Sequence, residues 1–220
     1  MTSPSPPLLS ELAFGACLSY TSHPLQDSED QKLSKVVCHQ VKVDGRVQQT
    51  PVIPLAVHRL KEHLSVELDD LLARDVVLVP APGSSKRRAG TLWVPERICQ
   101  ELREVGFGKA VEPLLSREIT VPKSAFAASG ERTTASRHYE TMGVHRRLGV
   151  NPRRITVVDD VVTKGATLLA AASLLANAYP EATVQVFALV RTVWPENFRA
   201  IVDPVVGRIT WNGSYPRRDP

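Results

Sequence analysis

The most informative segment of this 220-residue chain is Ile155-Thr-Val-Val-Asp-Asp-Val-Val-Thr-Lys-Gly-Ala-Thr167. Its β-branched and apolar start, Arg154–Val158, predicts a buried strand, and the Ala/Leu-rich residues Thr167–Ala178 predict a helix. Ligands of open parallel sheets bind beyond the carboxyl ends of the strands. We therefore expect a binding site between this strand and this helix.

The residues between the strand and the helix have the chemistry of a sugar-phosphate site. Asp159 and Asp160 can accept hydrogen bonds from vicinal hydroxyls, directly or through a hydrated Mg²⁺. The turn Thr163–Thr167 presents backbone N–H groups at the start of a helix, whose dipole favours a phosphate. Gly165 permits close approach of that phosphate to the backbone. An acidic strand end followed by a capped helix explains each part alone, but the whole ordered segment predicts a ribose 5-phosphate site.

The elements on either side predict an α/β fold. Alternation of strands and helices indicates a parallel sheet, and continuous apolar strands suit a sheet that is covered on both faces. Residues 120–150 are polar and aperiodic, and a loop of this length inside a compact domain is usually functional. The other predicted strands are Lys35–Val43, Val76–Pro80, Val111–Ile119 and Thr183–Val190, and the other predicted helices are Val57–Leu72 and Val94–Val105.

The segment 155–167 closely resembles the phosphoribosyl-pyrophosphate-binding motif of type I phosphoribosyltransferases, and the order of neighbouring elements extends the resemblance to roughly 75–192. The resemblance implies a Rossmann-like parallel sheet flanked by helices. It also implies an accessory or hood region at 11–70 and a phosphoribosyltransferase core at 71–220, while the Pro- and Ser-rich composition of residues 1–10 predicts a disordered N-terminus. The resemblance further implies that the protein is a homodimeric enzyme that uses Mg²⁺. It would transfer the phosphoribosyl group to a nucleobase or other nitrogen nucleophile, with release of pyrophosphate.

The same resemblance implies roles for individual residues. The catalytic residues would be Asp159, Asp160 and Thr163, and the two acids would also contact Mg²⁺ that is bound to the ligand. The 5-phosphate loop would comprise Thr163, Lys164, Gly165, Ala166 and Thr167. The pyrophosphate loop would comprise Ala81, Pro82, Gly83, Ser84, Lys86 and Arg87. A flexible loop would neutralise the departing pyrophosphate through Lys123, Arg132, Arg137 and His138. Arg191 would contact the base.

Two positions depart from the usual motif. Lys164 stands where the family mostly has Thr or Ser; it could supply a charged contact to the 5-phosphate or alter the loop. Thr163 stands where some members have an acid that handles the proton of the base. Because a hydroxyl is a poor general base, a substrate that needs strong proton abstraction is disfavoured. Both departures concern turnover more than binding.

Two other functions stay open. The basic loop after Pro80 and the segment Leu189–Thr192 are also similar to those of the ComF family of competence proteins, which implies an accessory role in DNA uptake with a helicase partner.

Residues 131–154 carry six arginines and two glutamates, an excess equal to the net charge of +4 of the whole chain. Such a stretch suits a polyphosphate or a nucleic acid. However, no aromatic stacking platform is interleaved with the arginines, and the paired-cysteine zinc module of many ComF proteins is missing, so nucleic acid is not the favoured partner. The remaining alternative is a non-catalytic sensor of phosphoribosyl pyrophosphate or of a nucleotide.

Composition places the chain among ordinary globular proteins, with 43% hydrophobic and 23% charged residues. No apolar run reaches the roughly 18 residues of a membrane span, and no secretory signal is visible, so we expect a cytoplasmic protein. Cys17, Cys38 and Cys99 are far apart and odd in number, which predicts buried free thiols rather than disulfides.

Overall fold

The computed structural model describes residues 7–122, 133–147 and 149–220. Within them, seven strands form one sheet, in the order β11-β10-β1-β9-β8-β4-β5. These strands are β1 (Glu11–Tyr20), β4 (Val77–Pro80), β5 (Ala110–Val111), β8 (Arg154–Val162), β9 (Thr183–Thr192), β10 (Val202–Trp211) and β11 (Pro216–Asp219). Two small hairpins are formed by β2 (Arg46–Val47) with β3 (Thr50–Pro51) and by β6 (Leu115–Arg117) with β7 (Met142–Val144).

Helices cover both faces of the sheet. One face carries α1 (Glu29–Lys42), α2 (Val52–Glu62), α3 (Val66–Leu71) and α4 (Val94–Glu104), and the other carries α5 (Ala135–Thr141) and α6 (Ala166–Ala178). Each layer has its own apolar core, one around Phe187 and the other around Phe14. The prediction of a mainly parallel sheet flanked by helices is confirmed.

The sheet is parallel from β1 through β9, β8 and β4 to β5. The last two strands were not predicted; β10 pairs antiparallel with β1, and β11 pairs antiparallel with β10. Because β4 and β8 are neighbours, the loops that follow them leave the same edge of the sheet. The topology thus brings the predicted pyrophosphate loop beside the predicted 5-phosphate loop.

Strand β1 gives the N-terminal region a place in the core. It pairs with β9 on one side and β10 on the other, and Phe14 and Ala16 are fully buried. Residues 11–20 therefore belong to the central sheet, although the sequence placed 11–70 in an accessory or hood region. The domain boundary at residue 70 stays a prediction, and the first six residues lie outside the described part of the chain.

The predicted strand Lys35–Val43 is wrong, because residues 35–42 belong to helix α1 and Val43 is its C-cap residue. The buried positions Gln31, Ser34, Cys38 and Val41 follow the helical period. Two of the four are polar, so the period is hidden from a hydropathy pattern, while the adjacent valines at 36 and 37 imitate a strand. The side chain of Ser28 caps the helix by accepting a hydrogen bond from the Gln31 N–H.

Three further elements differ from the sequence prediction. The single helix predicted over Val57–Leu72 is two helices, because Ser65 caps α3 through the Leu68 N–H. The strand predicted over Val111–Ile119 is divided between β5 and β6, which lie in different sheets. The polar segment 120–150 contains α5 and β7 in its described part.

All three cysteines are buried free thiols, as predicted. Among the described helices, none combines the length and the apolar character that crossing a membrane requires.

Candidate functional site

The loop between β8 and α6 is the candidate anion site. Gly165 has φ 89° and is the N-cap residue of α6. A Cβ there would lie 2.6 Å from Cδ1 of Ile209, so both the backbone angle and the space require glycine. Among the described residues no side chain caps α6; α2 and α4 also lack a side-chain cap, whereas a hydroxyl caps the first turn of α1, α3 and α5. The first-turn N–H groups of a helix have no intrahelical partner, so those of α6 remain available to a ligand.

This loop forms one wall of a cavity of about 230 Å³. The other walls come from the start of α5, from β8 and from the turn between β10 and β11. The lining residues are Thr133, Thr134, His138, Asp159, Val161, Val162, Thr163, Lys164, Gly165, Ala166, Thr167, Leu168, Ser214, Tyr215 and Pro216. All five residues predicted to hold the 5-phosphate thus line a single cavity.

The two acids of the motif occupy different surroundings. Asp159 lines the cavity, and its Oδ1 accepts the N–H of Asp160 at 2.9 Å. Burial, and then the neighbouring Asp160 carboxylate, raise the pKa of Asp159 well above its usual value. Asp160 is not a lining residue; its Oδ1 accepts the N–H of Val161 at 2.7 Å. Its charge also acts on Cys38 of α1, where burial is the main cause that raises the thiol pKa to about 11. Of the predicted pair, Asp159 is the one that reaches the cavity.

Arg117 was not predicted, yet it connects three parts of the site. It is 4% exposed on β6. Nε donates to the carbonyl of Gly83 at 2.8 Å, Nη1 to Thr141 Oγ1 at 2.7 Å and Nη2 to His138 Nδ1 at 3.2 Å. Burial lowers the pKa of Arg117 to about 10, and the charge of Asp159 opposes that shift. The sequence signal was an arginine inside the predicted strand Val111–Ile119, a position where a cation needs partners if it is buried.

His138 lies between Arg117 and the loop Thr163–Thr167, which is called the phosphate loop below. The ring is 4% exposed, and Nε2 lies 3.4 Å from Thr167 Oγ1. Burial, together with the adjacent positive charge of Arg117, lowers the pKa of His138 to about 4. The ring is therefore neutral near pH 7. It can donate a hydrogen bond but adds no positive charge, which differs from the predicted neutralisation of pyrophosphate.

The other residues of the predicted flexible loop do not join this cluster. Arg137 is exposed and forms an ion pair with Glu140 at 3.3 Å. Lys123 and Arg132 lie outside the described residues.

The predicted pyrophosphate loop lies next to the cavity and does not line it. Ala81 is buried, and its N–H donates to the carbonyl of Val158 on β8 at 2.8 Å. Pro82 is buried and Lys86 is exposed. The carbonyl of Ser84 accepts a hydrogen bond from the N–H of Val121. The guanidinium of Arg87 lies over the Trp93 ring at 4.6 Å and contacts Glu96 at 3.0 Å. Arg87 is therefore engaged with the start of α4, and a role in pyrophosphate binding stays a prediction.

Arg191 has internal partners. It is 6% exposed; Nε donates to Ser19 Oγ at 3.0 Å, and Nη2 lies 2.5 Å from Asp203 Oδ2. The side chain thereby joins β9 to β1 and β10. Contact with a base stays a prediction, and the observed bonds indicate a structural role.

The turn between β10 and β11 was missed and forms a wall of the cavity. Asn212 Oδ1 accepts the N–H groups of Ser214 and Tyr215, and Gly213 has φ 91°. An Asn-Gly pair between two strands is a hairpin signal that the sequence offered. Behind the turn, Arg218 donates from Nε to the Thr163 carbonyl at 2.9 Å, which ties β11 to the phosphate loop.

In the described part of the basic stretch 131–154, three arginines contact carboxylates from elsewhere in the fold. Arg147 contacts Glu112 at 2.7 Å, and Arg153 contacts Glu181 at 3.8 Å. Arg154 lies 2.9 Å from Asp70 and 3.0 Å from Asp75. The local excess of positive charge in the sequence is therefore not an equal excess on the surface.

At this site a divalent metal ion would bind together with a phosphorylated small molecule rather than through protein side chains alone. Within the described residues, no group of three or more His, Cys, Asp or Glu side chains could hold a metal ion. Asp159 is the carboxylate that faces the cavity. Mg²⁺ commonly binds through one or two carboxylates plus substrate phosphates, so the donor set fits a magnesium ion that is bound together with a phosphorylated ligand.

Fold and site together define an α/β protein with a candidate anion-binding loop at a strand–helix junction. Over 161 residues the chain is 31% identical to the DNA utilization protein YhgH of Escherichia coli O157:H7, a match that covers 65% of this chain and 69% of that protein. The protein of the same name from Shigella flexneri is 31% identical over 161 residues, 65% of this chain and 68% of its own length. The chain belongs to the family of the DNA utilization protein YhgH, which agrees with the predicted ComF-like resemblance.

Two further comparisons add less. No family model matches the chain. An adenine phosphoribosyltransferase from Leishmania donovani aligns over 87% of this chain and 84% of its own, with 13% identity and a TM-score of 0.27. A score this low supports no inference about fold or function.

Proposed function

We propose that this protein binds phosphoribosyl pyrophosphate with Mg²⁺ and transfers the phosphoribosyl group to a nitrogen nucleophile. The observation that carries the proposal is the Thr163–Thr167 loop, which opens the first turn of α6 into the same cavity as Asp159. In this mode the loop N–H groups and the hydroxyls of Thr163 and Thr167 hold the 5-phosphate. Lys164 adds a charge-assisted contact.

Asp159 is the proposed partner of the ribose. Its carboxyl lies on β8 at the edge of the cavity and can accept hydrogen bonds from a ribose hydroxyl. Magnesium bound with the ligand would stabilise the negative charge of the leaving pyrophosphate. In the reaction the C1–N bond forms and the C1–O bond to pyrophosphate breaks. Pyrophosphate leaves with the electron pair, and the nucleophile loses its proton to solvent.

Tyr215 is the proposed contact of the acceptor. It lines the cavity opposite the phosphate loop and is 58% exposed. A flat acceptor ring could stack on it, because aromatic pairs gain about 0.5–1.5 kcal/mol beyond area burial.

Calorimetry with phosphoribosyl pyrophosphate and Mg²⁺ tests binding, and a pyrophosphate-release screen over nucleobases tests catalysis. Asp159→Asn should weaken binding at least tenfold, because an amide nitrogen replaces one of the two carboxyl oxygens that could accept from a ribose hydroxyl or contact a magnesium ion. Asp203→Asn, which alters a carboxylate that does not line the cavity, controls for general loss of stability. A wild-type protein that does not bind the ligand would refute the proposal.

A second candidate is a non-catalytic role in DNA utilization, for which the family relationship is the supporting observation. Binding of phosphoribosyl pyrophosphate without release from any base would indicate a sensor. Salt-dependent DNA binding that survives the double variant Asp159→Asn/Asp160→Asn would indicate a ComF-like accessory protein with a DNA or helicase partner. The ion pairs of the 131–154 stretch argue against direct DNA binding through those arginines.

A further inference from the structure

The tautomer of His138 follows from its two neighbours. A guanidinium group has only donors, so Nδ1 of His138 must accept the hydrogen bond from Arg117 Nη2 at 3.2 Å. In a neutral ring the proton then resides on Nε2. That N–H faces Thr167 Oγ1 at 3.4 Å, which is long against the usual 2.9–3.0 Å or so of an N–H···O bond.

The Nε2–H group is therefore held only weakly by the protein. Both His138 and Thr167 line the cavity, and Thr167 lies in the first turn of α6. An anionic oxygen placed at that turn would accept hydrogen bonds from the turn and from the imidazole at once.

Arg117 supplies a second, independent reason to expect an anion here. It is 4% exposed, and its three described hydrogen bonds go to neutral acceptors. Among the residues that the structure describes, no carboxylate lies within ion-pair distance of it. The charge of Asp159 acts on Arg117 from beyond ion-pair distance. A buried charge without a contacting counter-ion is unfavourable, and a negative ligand in the adjoining cavity would offset it.

We propose that His138 is a ligand-binding residue, a neutral hydrogen-bond donor through Nε2–H to the phosphate held at Thr163–Thr167, in the tautomer that Arg117 fixes. Arg117 acts as a positioning residue, since it also holds the Gly83 carbonyl of the neighbouring loop. This inference rests on the proposed function, because it assigns another contact to the same ligand phosphate.

The test compares two substitutions of His138 by calorimetry, with ribose 5-phosphate and with phosphoribosyl pyrophosphate plus Mg²⁺. His138→Asn places a polar atom near Nδ1 and lacks a donor at Nε2; we expect at least tenfold weaker binding of both ligands. His138→Gln places an amide N–H near Nε2 and should recover most of that loss. His145→Asn, at an exposed histidine outside the cavity lining, should bind like the wild type.

Equal affinity of wild type and His138→Asn would overturn the inference while leaving the proposed function intact. His138→Gln binding as weakly as His138→Asn would also overturn it, because the Nε2 donor would then not be the operative group. A wild type that binds neither ligand would instead refute the proposed function.

Nitrogen NMR of the wild-type histidines gives a readout that does not depend on a folded variant. The free protein should show the Nε2–H tautomer at His138, and inorganic phosphate should shift its Nε2 resonance. A Nδ1–H tautomer, or an Nε2 resonance that saturating phosphate leaves unchanged, would contradict the inference. Thermal unfolding of each variant separates lost binding from lost folding.

Discussion

The cavity has two unlike walls. The phosphate-loop wall is a continuous segment, Val162–Leu168, whose proposed contacts include the backbone N–H groups of the first turn of α6. The assembled wall brings together α5, with Arg117 behind it, and the β10–β11 turn, which are far apart in sequence and offer side chains. The contacts that we propose for the first wall are ones that the phosphate of any sugar phosphate could make, so we expect selectivity for the rest of the ligand to come from the second wall.

A change to the backbone of the phosphate-loop wall should cause the largest loss of ligand binding. Gly165→Ala forces a side chain into φ 89° and against Ile209. We expect a loss of about 1–3 kcal/mol of unfolding free energy and at least 100-fold weaker binding of phosphoribosyl pyrophosphate. Calorimetry and urea unfolding measure the two effects.

Gly83→Ala is the matched control for stability. A Cβ at Gly83 meets nothing within 4 Å, so the substitution should leave the unfolding free energy unchanged. A Gly165→Ala protein with wild-type affinity would mean that the ligand does not approach this backbone.

This contrast also explains what the sequence could predict. The strand, the loop and the helix of the motif are contiguous, so their order and the need for glycine can be inferred from local rules. The assembled wall depends on contacts between residues far apart in the chain, such as His138 with Thr167 and Arg218 with Thr163. Local patterns carry no information about such pairs. The same limit applies to α1, whose buried face is half polar, and to Arg191, whose partner Asp203 is on another strand.

His138, in the assembled wall, should make the folding stability depend on pH. The pKa of His138 is about 4 in the folded protein and 6.5 for a free histidine. As pH falls from 6.5 towards 4, the unfolded chain takes up a proton that the folded chain does not, so folding stability falls in that window. The full effect is about 3 kcal/mol. Urea unfolding of the wild type and of His138→Gln between pH 7 and pH 4 measures it.

The comparison between the two proteins isolates His138. Asp159, with its raised pKa, contributes the opposite sign, since its neutral form is favoured by folding and its stabilisation is lost as pH rises. That contribution is present in both proteins and cancels in the difference. If the two proteins had the same slope with pH, the burial of a neutral His138 would not control stability.

The smallest effect should come from the exposed tip of the assembled wall. Tyr215 contributes little to the core, being 58% exposed, so Tyr215→Ala should leave the unfolding free energy nearly unchanged. Its proposed stacking on the acceptor is worth about 1 kcal/mol, which predicts a three- to tenfold rise in the KM for the acceptor with unchanged binding of phosphoribosyl pyrophosphate.

Trp194→Ala is the control, because Trp194 is 67% exposed and does not line the cavity. A shared effect of both substitutions would point to a general surface contribution. A loss of phosphoribosyl pyrophosphate binding in Tyr215→Ala would show that the turn helps to hold the phosphate and that the two walls are not functionally separate.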